Sequence, residues 1–207
     1  MSGGGISFTR GLSKQLFILF FWWYIPIYIN LMMSFSMLNI AKAVLIMAGI
    51  AGALVFQHEL HRYYGASSLK EPANMRKALM GLALTLLMGM VLTIYSTPWL
   101  WLWAALGLAL AAAYTITRRY IYSNEWIAGL AWGTALYGSY TVFNNVPLPP
   151  LGVAVFFLGL SMLMGLMLVV HRVLSGDYPL PFPISTLMKI IVWLFIATML
   201  MGAGLAL

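Results

Sequence analysis

The sequence contains no cysteine and very little charge. The absence of cysteine excludes disulfide bonds, thiolate metal sites and dithiol redox pairs. Only 7% of the 207 residues are charged, whereas soluble domains carry about 25% charged residues. Hydrophobic residues make up 63% of the chain. A chain of this composition cannot cover a water-facing surface, so the sequence predicts an integral membrane protein.

The hydrophobic residues form long runs, each near the roughly 20 residues that a helix needs to cross a bilayer. Helices are favoured over strands because lipid offers the backbone no hydrogen-bond partners, and because the runs are apolar all round instead of alternating. We therefore predict an all-α protein with one domain, residues 1–207, and a short N-terminal arm at residues 1–15. The seven predicted spans are residues 16–37, 40–57, 78–96, 98–117, 126–143, 151–170 and 187–207.

Basic residues lie in alternate connections between the predicted spans. The chain has 11 Lys and Arg residues, and all except Lys42 fall on one side. By the positive-inside rule, the N-terminus is cytoplasmic and the C-terminus lies outside. We expect a multi-pass protein of a bacterial or archaeal plasma membrane, or of an organelle membrane of similar type. Because the positive charges are spread over several loops, nucleic acid is not an expected partner.

Small residues in two spans predict close packing between helices. Gly129 and Gly133 form a small-xxx-small pattern in the fifth predicted span. Gly49, Gly52 and Ala53 provide a similar surface in the second span. Small side chains let the backbones of neighbouring membrane helices approach closely. Both patterns are therefore interpreted as packing surfaces.

Two groups of ionisable residues lie at the predicted cytoplasmic ends of spans two and six. The first group covers residues 57–62, in which His58 and His61 share one face of a helix. The second group begins with His171 and Arg172. We expect spans two and six to be neighbours, so that both groups line one cavity opening to the cytoplasm. Ionisable groups at membrane depth are candidates for function, and interfacial residues that end helices are the alternative.

Three kinds of chemistry fit these two groups. A divalent metal ion, magnesium or a transition metal, could be held by His58, His61, His171 and Asp177, because imidazole and carboxylate ligate several such ions. A haem could instead be ligated by His58 and His171. As a third option, basic residues could bind a phosphate or diphosphate head while a lipid tail lies among the helices.

Further stretches stand where a known family has its motifs. They are Tyr114-Thr-Ile-Thr-Arg118-Arg119, Ile127-Ala-Gly129-Leu-Ala-Trp-Gly133 and Ser175-Gly176-Asp177-Tyr178. In order and spacing, residues 40–207 resemble the UbiA superfamily of intramembrane prenyltransferases. That family has Asp-rich motifs after spans two and six and usually has nine spans. This chain has Gln57, His58, Glu59 and His61 at the first motif, and seven predicted spans.

The resemblance implies a membrane-embedded enzyme that acts on an isoprenoid or other lipid substrate, with prenyl transfer as the reaction. It implies that Glu59 and Asp177 act in catalysis by coordinating the metal, while basic residues hold the substrate head. The substrate-binding residues expected on this basis are Arg62, Lys70, Arg76, Lys77, Tyr114, Arg118, Arg119 and Arg172.

Alternatives from other functional classes stay open. The replaced aspartates and the smaller helix number favour a non-catalytic subunit that binds pigment, quinone or lipid in a larger membrane complex. A haem-bearing membrane anchor would use His58 and His171 as its two axial ligands. A transporter is disfavoured, because almost no charge lies inside the spans and no internal repeat is evident. Membrane lipid and an isoprenoid or other hydrophobic small molecule are the expected partners.

Overall fold

The computed structural model describes residues 23–63, 74–117, 124–174 and 184–206. Within these ranges the chain forms helices joined by short turns, without strands, which confirms the all-α prediction. The first helix, α1, covers residues 23–33. The others are α2 (Met37–Tyr63), α3 (Met75–Tyr95), α4 (Leu100–Thr117), α5 (Glu125–Asn144), α6 (Leu151–Leu174) and α7 (Ile184–Ala206).

Five of these helices, α2, α3, α4, α6 and α7, are long and apolar enough to cross a membrane. They identify the chain as a membrane protein with transmembrane helices. Seven spans and the orientation of the termini stay predictions. α5 is not among these five helices. Most of its residues are buried inside the bundle, polar Thr134 and Ser139 among them. A helix that other helices surround does not need an apolar surface toward lipid.

From α2 onward, consecutive helices pack as antiparallel neighbours, except α3 and α4. α2 packs along α3, α4 along α5, α5 along α6, and α6 along α7. The contacts between α3 and α4 are few. α1 is attached to α5 through Asn30, whose side-chain Nδ2 donates to the Leu136 carbonyl oxygen at 2.9 Å and to Ser139 Oγ at 2.7 Å. The C-terminal ends of α2, α4 and α6 therefore lie at the same end of the bundle as the first turns of α3 and α5; we call this the basic end.

The prediction that the second and sixth spans are neighbours is wrong. α2 packs along α3 and touches α4 and α5, whereas α6 packs against α5 and α7. The cause is the small-residue surface of α5, which brings this helix directly onto α6. A Cβ atom added at Gly129 would lie 2.6 Å from the Ser161 carbonyl oxygen. The helix ends that carry residues 57–62 and residues 171–172 are therefore separated by α5.

Several helix bounds differ from the predicted spans. α2 continues to Tyr63, six residues beyond the predicted end of the second span, because Glu59 and Arg62 form a stabilising pair on successive turns. α2 also begins earlier, at Met37, after a break in which Ser36 Oγ accepts a hydrogen bond from the Asn39 N–H group at 3.1 Å. The residues predicted as a connection after the second span thus begin as two further helical turns.

Lys42, the single basic residue outside the predicted cytoplasmic side, caps the end of α5. The side chain is buried, and its ammonium group donates to the Val142 carbonyl oxygen at 2.8 Å. Ser96 Oγ donates to the same oxygen at 2.9 Å. Val142 belongs to the last turn of α5, whose carbonyl groups have no partners within the helix and carry partial negative charge. Lys42 therefore provides a hydrogen-bond donor to the C-terminal end of α5. This structural role explains a basic residue on the side opposite to the others.

The close contact of α2 with α3 depends on glycine. A Cβ atom added at Gly52 would lie 2.5 Å from the Gly81 carbonyl oxygen, a distance that requires the backbones to separate. Thr85 Oγ1 donates across the same interface to the Gly49 carbonyl oxygen at 2.9 Å. The prediction that the small residues of the second span form a packing surface is confirmed.

Replacing Gly52 by alanine should destabilise the protein by about 1–3 kcal/mol, the usual cost of overpacking. Gly49→Ala is the matched control, because its Cβ atom would lie 3.5 Å from Met88 Cβ, an ordinary contact. Thermal unfolding of both variants in mild detergent measures the difference. Equal melting temperatures for the two variants would contradict the backbone contact at Gly52.

Candidate functional site

Glu59, which the sequence predicts as catalytic, is buried where α2 meets the start of α3. Its carboxylate accepts hydrogen bonds from Arg62 Nη1 at 3.0 and 3.3 Å, and one from the Asn74 N–H group at 2.7 Å. Asn74 is the N-cap of α3, and its Oδ1 accepts a hydrogen bond from the Lys77 N–H group at 3.2 Å. The carboxylate is thus hydrogen-bonded to the Arg62 guanidinium group and to the N-terminus of α3. We call this arrangement the α2–α3 ion pair.

Arg172, which the sequence predicts as a phosphate ligand, pairs with Glu125. Glu125 is fully buried in the first turn of α5, where the helix dipole favours a negative charge. Arg172 Nη1 also lies 3.5 Å from Asn124 Oδ1, and Asn124 Nδ2 donates to the Tyr114 carbonyl oxygen at 3.1 Å. This α5–α6 ion pair joins the ends of three helices, α4, α5 and α6.

Glu125 was not among the residues that the sequence assigned to a site. Its position at the start of a span is typical of an interfacial acid, and nothing in the local sequence shows that Arg172 lies beside it. The available signal was the scarcity of acids, since the chain contains only four Asp and Glu residues. An acid in a chain so poor in acids is expected to have a basic partner, because a lone buried charge is costly.

The remaining predicted site residues do not gather around one point in the described part of the chain. His58 is half-buried, whereas His171, Arg76 and Lys77 are exposed. Within the ranges that the structure covers, no three His, Asp or Glu side chains are arranged to hold a metal ion. Haem ligation by His58 and His171 stays a prediction. It assumed that α2 and α6 are neighbours, whereas α6 packs against α5 and α7. The predicted residues outside the described part are Lys70, Arg118, Arg119, Asp177 and the side chain of His61.

A cavity lies between the α2–α3 pair and the α4–α5 pair, and α1 contributes Trp23 to its wall. Its atom-free space is about 990 Å³ when the open space at its mouth is counted, of which about 140 Å³ is accessible to the centre of a water-sized sphere. Along α2 the lining residues run from Leu45 to Leu60, a distance of about 22 Å at 1.5 Å per residue. The cavity is therefore long in the direction of the helices. On α4 and α5 its wall consists largely of small residues, Ala104, Gly107, Ala111, Ala131, Ala135 and Gly138.

Aromatic rings line the cavity toward the end remote from the basic end. Trp101 lies against α3, where a Cβ atom added at Gly89 would be 2.8 Å from the indole ring. Trp103 stacks on Tyr137 with ring centroids 4.8 Å apart, and both Trp101 and Trp103 line the cavity. The sequence did not predict the cavity. The alanines and glycines of its wall predict close packing of helices, not an open space between them.

Hydroxyl groups in the cavity wall are engaged by helix backbones. Thr85 Oγ1 donates to carbonyl oxygens of α2 and α3, Thr134 Oγ1 to the Ala131 carbonyl oxygen at 2.6 Å, and Ser139 Oγ to the Ala135 carbonyl oxygen at 2.6 Å. A hydroxyl group that donates to a helix carbonyl exposes little polarity to the space beside it. The cavity wall therefore behaves as an almost wholly apolar surface.

No protein-family model, curated protein or solved structure matches the chain. Inferences about function therefore rest on the cavity, on the two ion pairs and on the membrane class of the fold.

Removing the carboxylate of Glu125 should destabilise the protein strongly. Glu125→Leu leaves the Arg172 guanidinium beside a buried apolar group, which typically costs about 3–5 kcal/mol. The double variant Glu125→Leu/Arg172→Met replaces both charges by apolar groups and should recover most of that loss. Unfolding midpoints of the two variants and the parent chain test the pair. A double variant that is no more stable than Glu125→Leu would contradict a direct role for the charge pair.

Proposed function

We propose that the chain binds one elongated apolar molecule, an isoprenoid or a related lipid, in the cavity between α2–α3 and α4–α5. The cavity itself is the observation that carries this proposal. Ligand sites are typically concave and mostly apolar. The cavity is concave and its wall is almost wholly apolar, so it fits that description. Its extension along the helix axes matches a chain-like molecule better than a compact one.

An empty space of this size is unfavourable in a membrane protein. Wall atoms that face a void lose dispersion contacts, which are individually small and collectively large. Water is a poor occupant because the wall offers few free hydrogen-bonding groups. An apolar chain restores the lost dispersion contacts along most of the wall. This reasoning supports an occupant drawn from the hydrophobic molecules of the membrane.

The contacts of the buried acids favour binding over catalysis. Metal-assisted departure of a diphosphate needs carboxylate oxygens that are free to bind the ion. Glu59 instead holds Arg62 and the first turn of α3, and Glu125 holds Arg172. Prenyl transfer, the UbiA-like relationship and membership of a larger membrane complex stay predictions. A binding protein for an isoprenoid or lipid is the function that this geometry supports best.

Filling the cavity should weaken ligand binding. Ala104 lines the cavity, and Ala104→Phe places a ring in the space that the ligand would occupy. We expect affinity for geranylgeraniol to fall by about tenfold or more, which corresponds to about 1.4 kcal/mol. Retention of the radiolabelled alcohol by the purified chain in lipid nanodiscs measures the effect.

Ala105→Phe is the matched control for this substitution. Ala105 follows Ala104 on α4, but it is exposed and does not belong to the cavity wall. This variant should bind geranylgeraniol as the parent chain does. Equal binding by the parent chain and both variants would place the ligand elsewhere and contradict the proposal. A melting curve for each variant identifies any general loss of folding.

A further inference from the structure

We infer that the cavity selects a ligand with a neutral oxygen-bearing head, a hydroxyl or carbonyl group, which forms a hydrogen bond with the Gln57 amide. The inference rests on the proposed function and specifies the class of ligand. It differs from the sequence-based expectation of a diphosphate head, because it depends on which polar groups the wall presents.

Gln57 is a polar group of the wall that is free to bind a ligand. It lies on α2 at the part of the cavity nearest the basic end, and its side chain is half-buried. Its amide forms no hydrogen bond with any residue that the structure describes, unlike the hydroxyl groups of Thr85, Thr134 and Ser139 in the same wall. A glutamine amide offers two N–H donors and one carbonyl acceptor. It can therefore bind either a carbonyl or a hydroxyl group.

The electrostatics of the wall disfavour a charged head. None of the described residues that line the cavity is a Lys, Arg, His, Asp or Glu. On α2, the ionised side chains that follow Gln57 are Glu59 and Arg62, which are buried and paired with each other. A diphosphate at Gln57 would bring several negative charges beside a wall in which none of the described residues is a cation, and such burial is costly. A neutral head avoids that cost.

The membrane setting makes this hydrogen bond the main source of selectivity. A hydrocarbon chain gains little by moving from lipid tails into an apolar cavity, because both surroundings are equally apolar. A polar oxygen, in contrast, must keep a hydrogen-bond partner wherever it leaves water. Gln57 supplies that partner at the basic end, while the chain extends over about 22 Å toward Trp101 and Trp103. The ligand is thus oriented with its head at the basic end.

Three probes that share a branched isoprenoid skeleton test the inference in nanodiscs that contain the full chain. They are geranylgeraniol, geranylgeranyl diphosphate and the saturated hydrocarbon phytane. We expect the alcohol to bind about three- to tenfold more tightly than phytane, the range expected for one neutral hydrogen bond. The diphosphate should bind most weakly. Gln57→Leu should remove the preference for the alcohol over phytane.

The stability of the ligand-free Gln57→Leu variant provides the control for folding. Because the Gln57 amide forms no hydrogen bond within the described part of the chain, its melting temperature should match that of the parent chain. Tightest binding of the diphosphate, equal binding of alcohol and phytane, or an alcohol preference that survives Gln57→Leu would each overturn the neutral-head inference while leaving the proposed function intact. Failure of all three probes to bind would instead reject the proposed function.

Discussion

Backbone contact at glycine residues determines which helices of this bundle touch and which stand apart. Gly52 lies against Gly81 between α2 and α3, and Gly129 lies against Gly165 between α5 and α6. In a membrane, close packing of this kind replaces the hydrophobic effect as the source of helix association. The α2–α3 pair faces α4 and α5, whose side chains on that side are mostly small. The cavity is the space between the α2–α3 pair and the α4–α5 pair.

The few charged residues described within the bundle serve its ends. Glu59 with Arg62 joins α2 to α3, Glu125 with Arg172 joins α5 to α6, and Lys42 closes the last turn of α5. Each of these groups satisfies another buried polar group, as the low dielectric of the membrane requires. This use of charge leaves the cavity wall nearly apolar, with Gln57 as a neutral exception at one end. The pairing of charges that stabilises the bundle is therefore also the basis of the neutral-head preference that we propose.

The sequence predicted the features that depend on local composition. Long apolar runs identified helices, and the bounds of α3, α4, α5 and α7 agree with the predicted spans to within three residues. The first predicted span, residues 16–37, differs because α1 ends at residue 33 and α2 begins at Met37, and α2 and α6 extend beyond their predicted ends. The packing role of Gly52 and Gly129 was also readable, because small residues at helical spacing have one obvious use. The arrangement of helices was not readable. Whether α6 lies beside α2 or beside α5 depends on contacts between residues that are distant in sequence, such as Glu125 with Arg172. The cavity depends on the relative placement of several helices, which no single residue determines.

Photo-crosslinking tests most directly whether the cavity holds the ligand. A diazirine derivative of geranylgeraniol is activated on the full chain in nanodiscs, and the modified residues are mapped by mass spectrometry. If the ligand occupies the cavity, modifications fall on wall residues such as Ala53 and Ala111 and disappear when unlabelled geranylgeraniol is added. Modifications confined to exposed residues such as Trp193 and Leu200 of α7, unaffected by the competitor, would contradict a cavity-bound ligand.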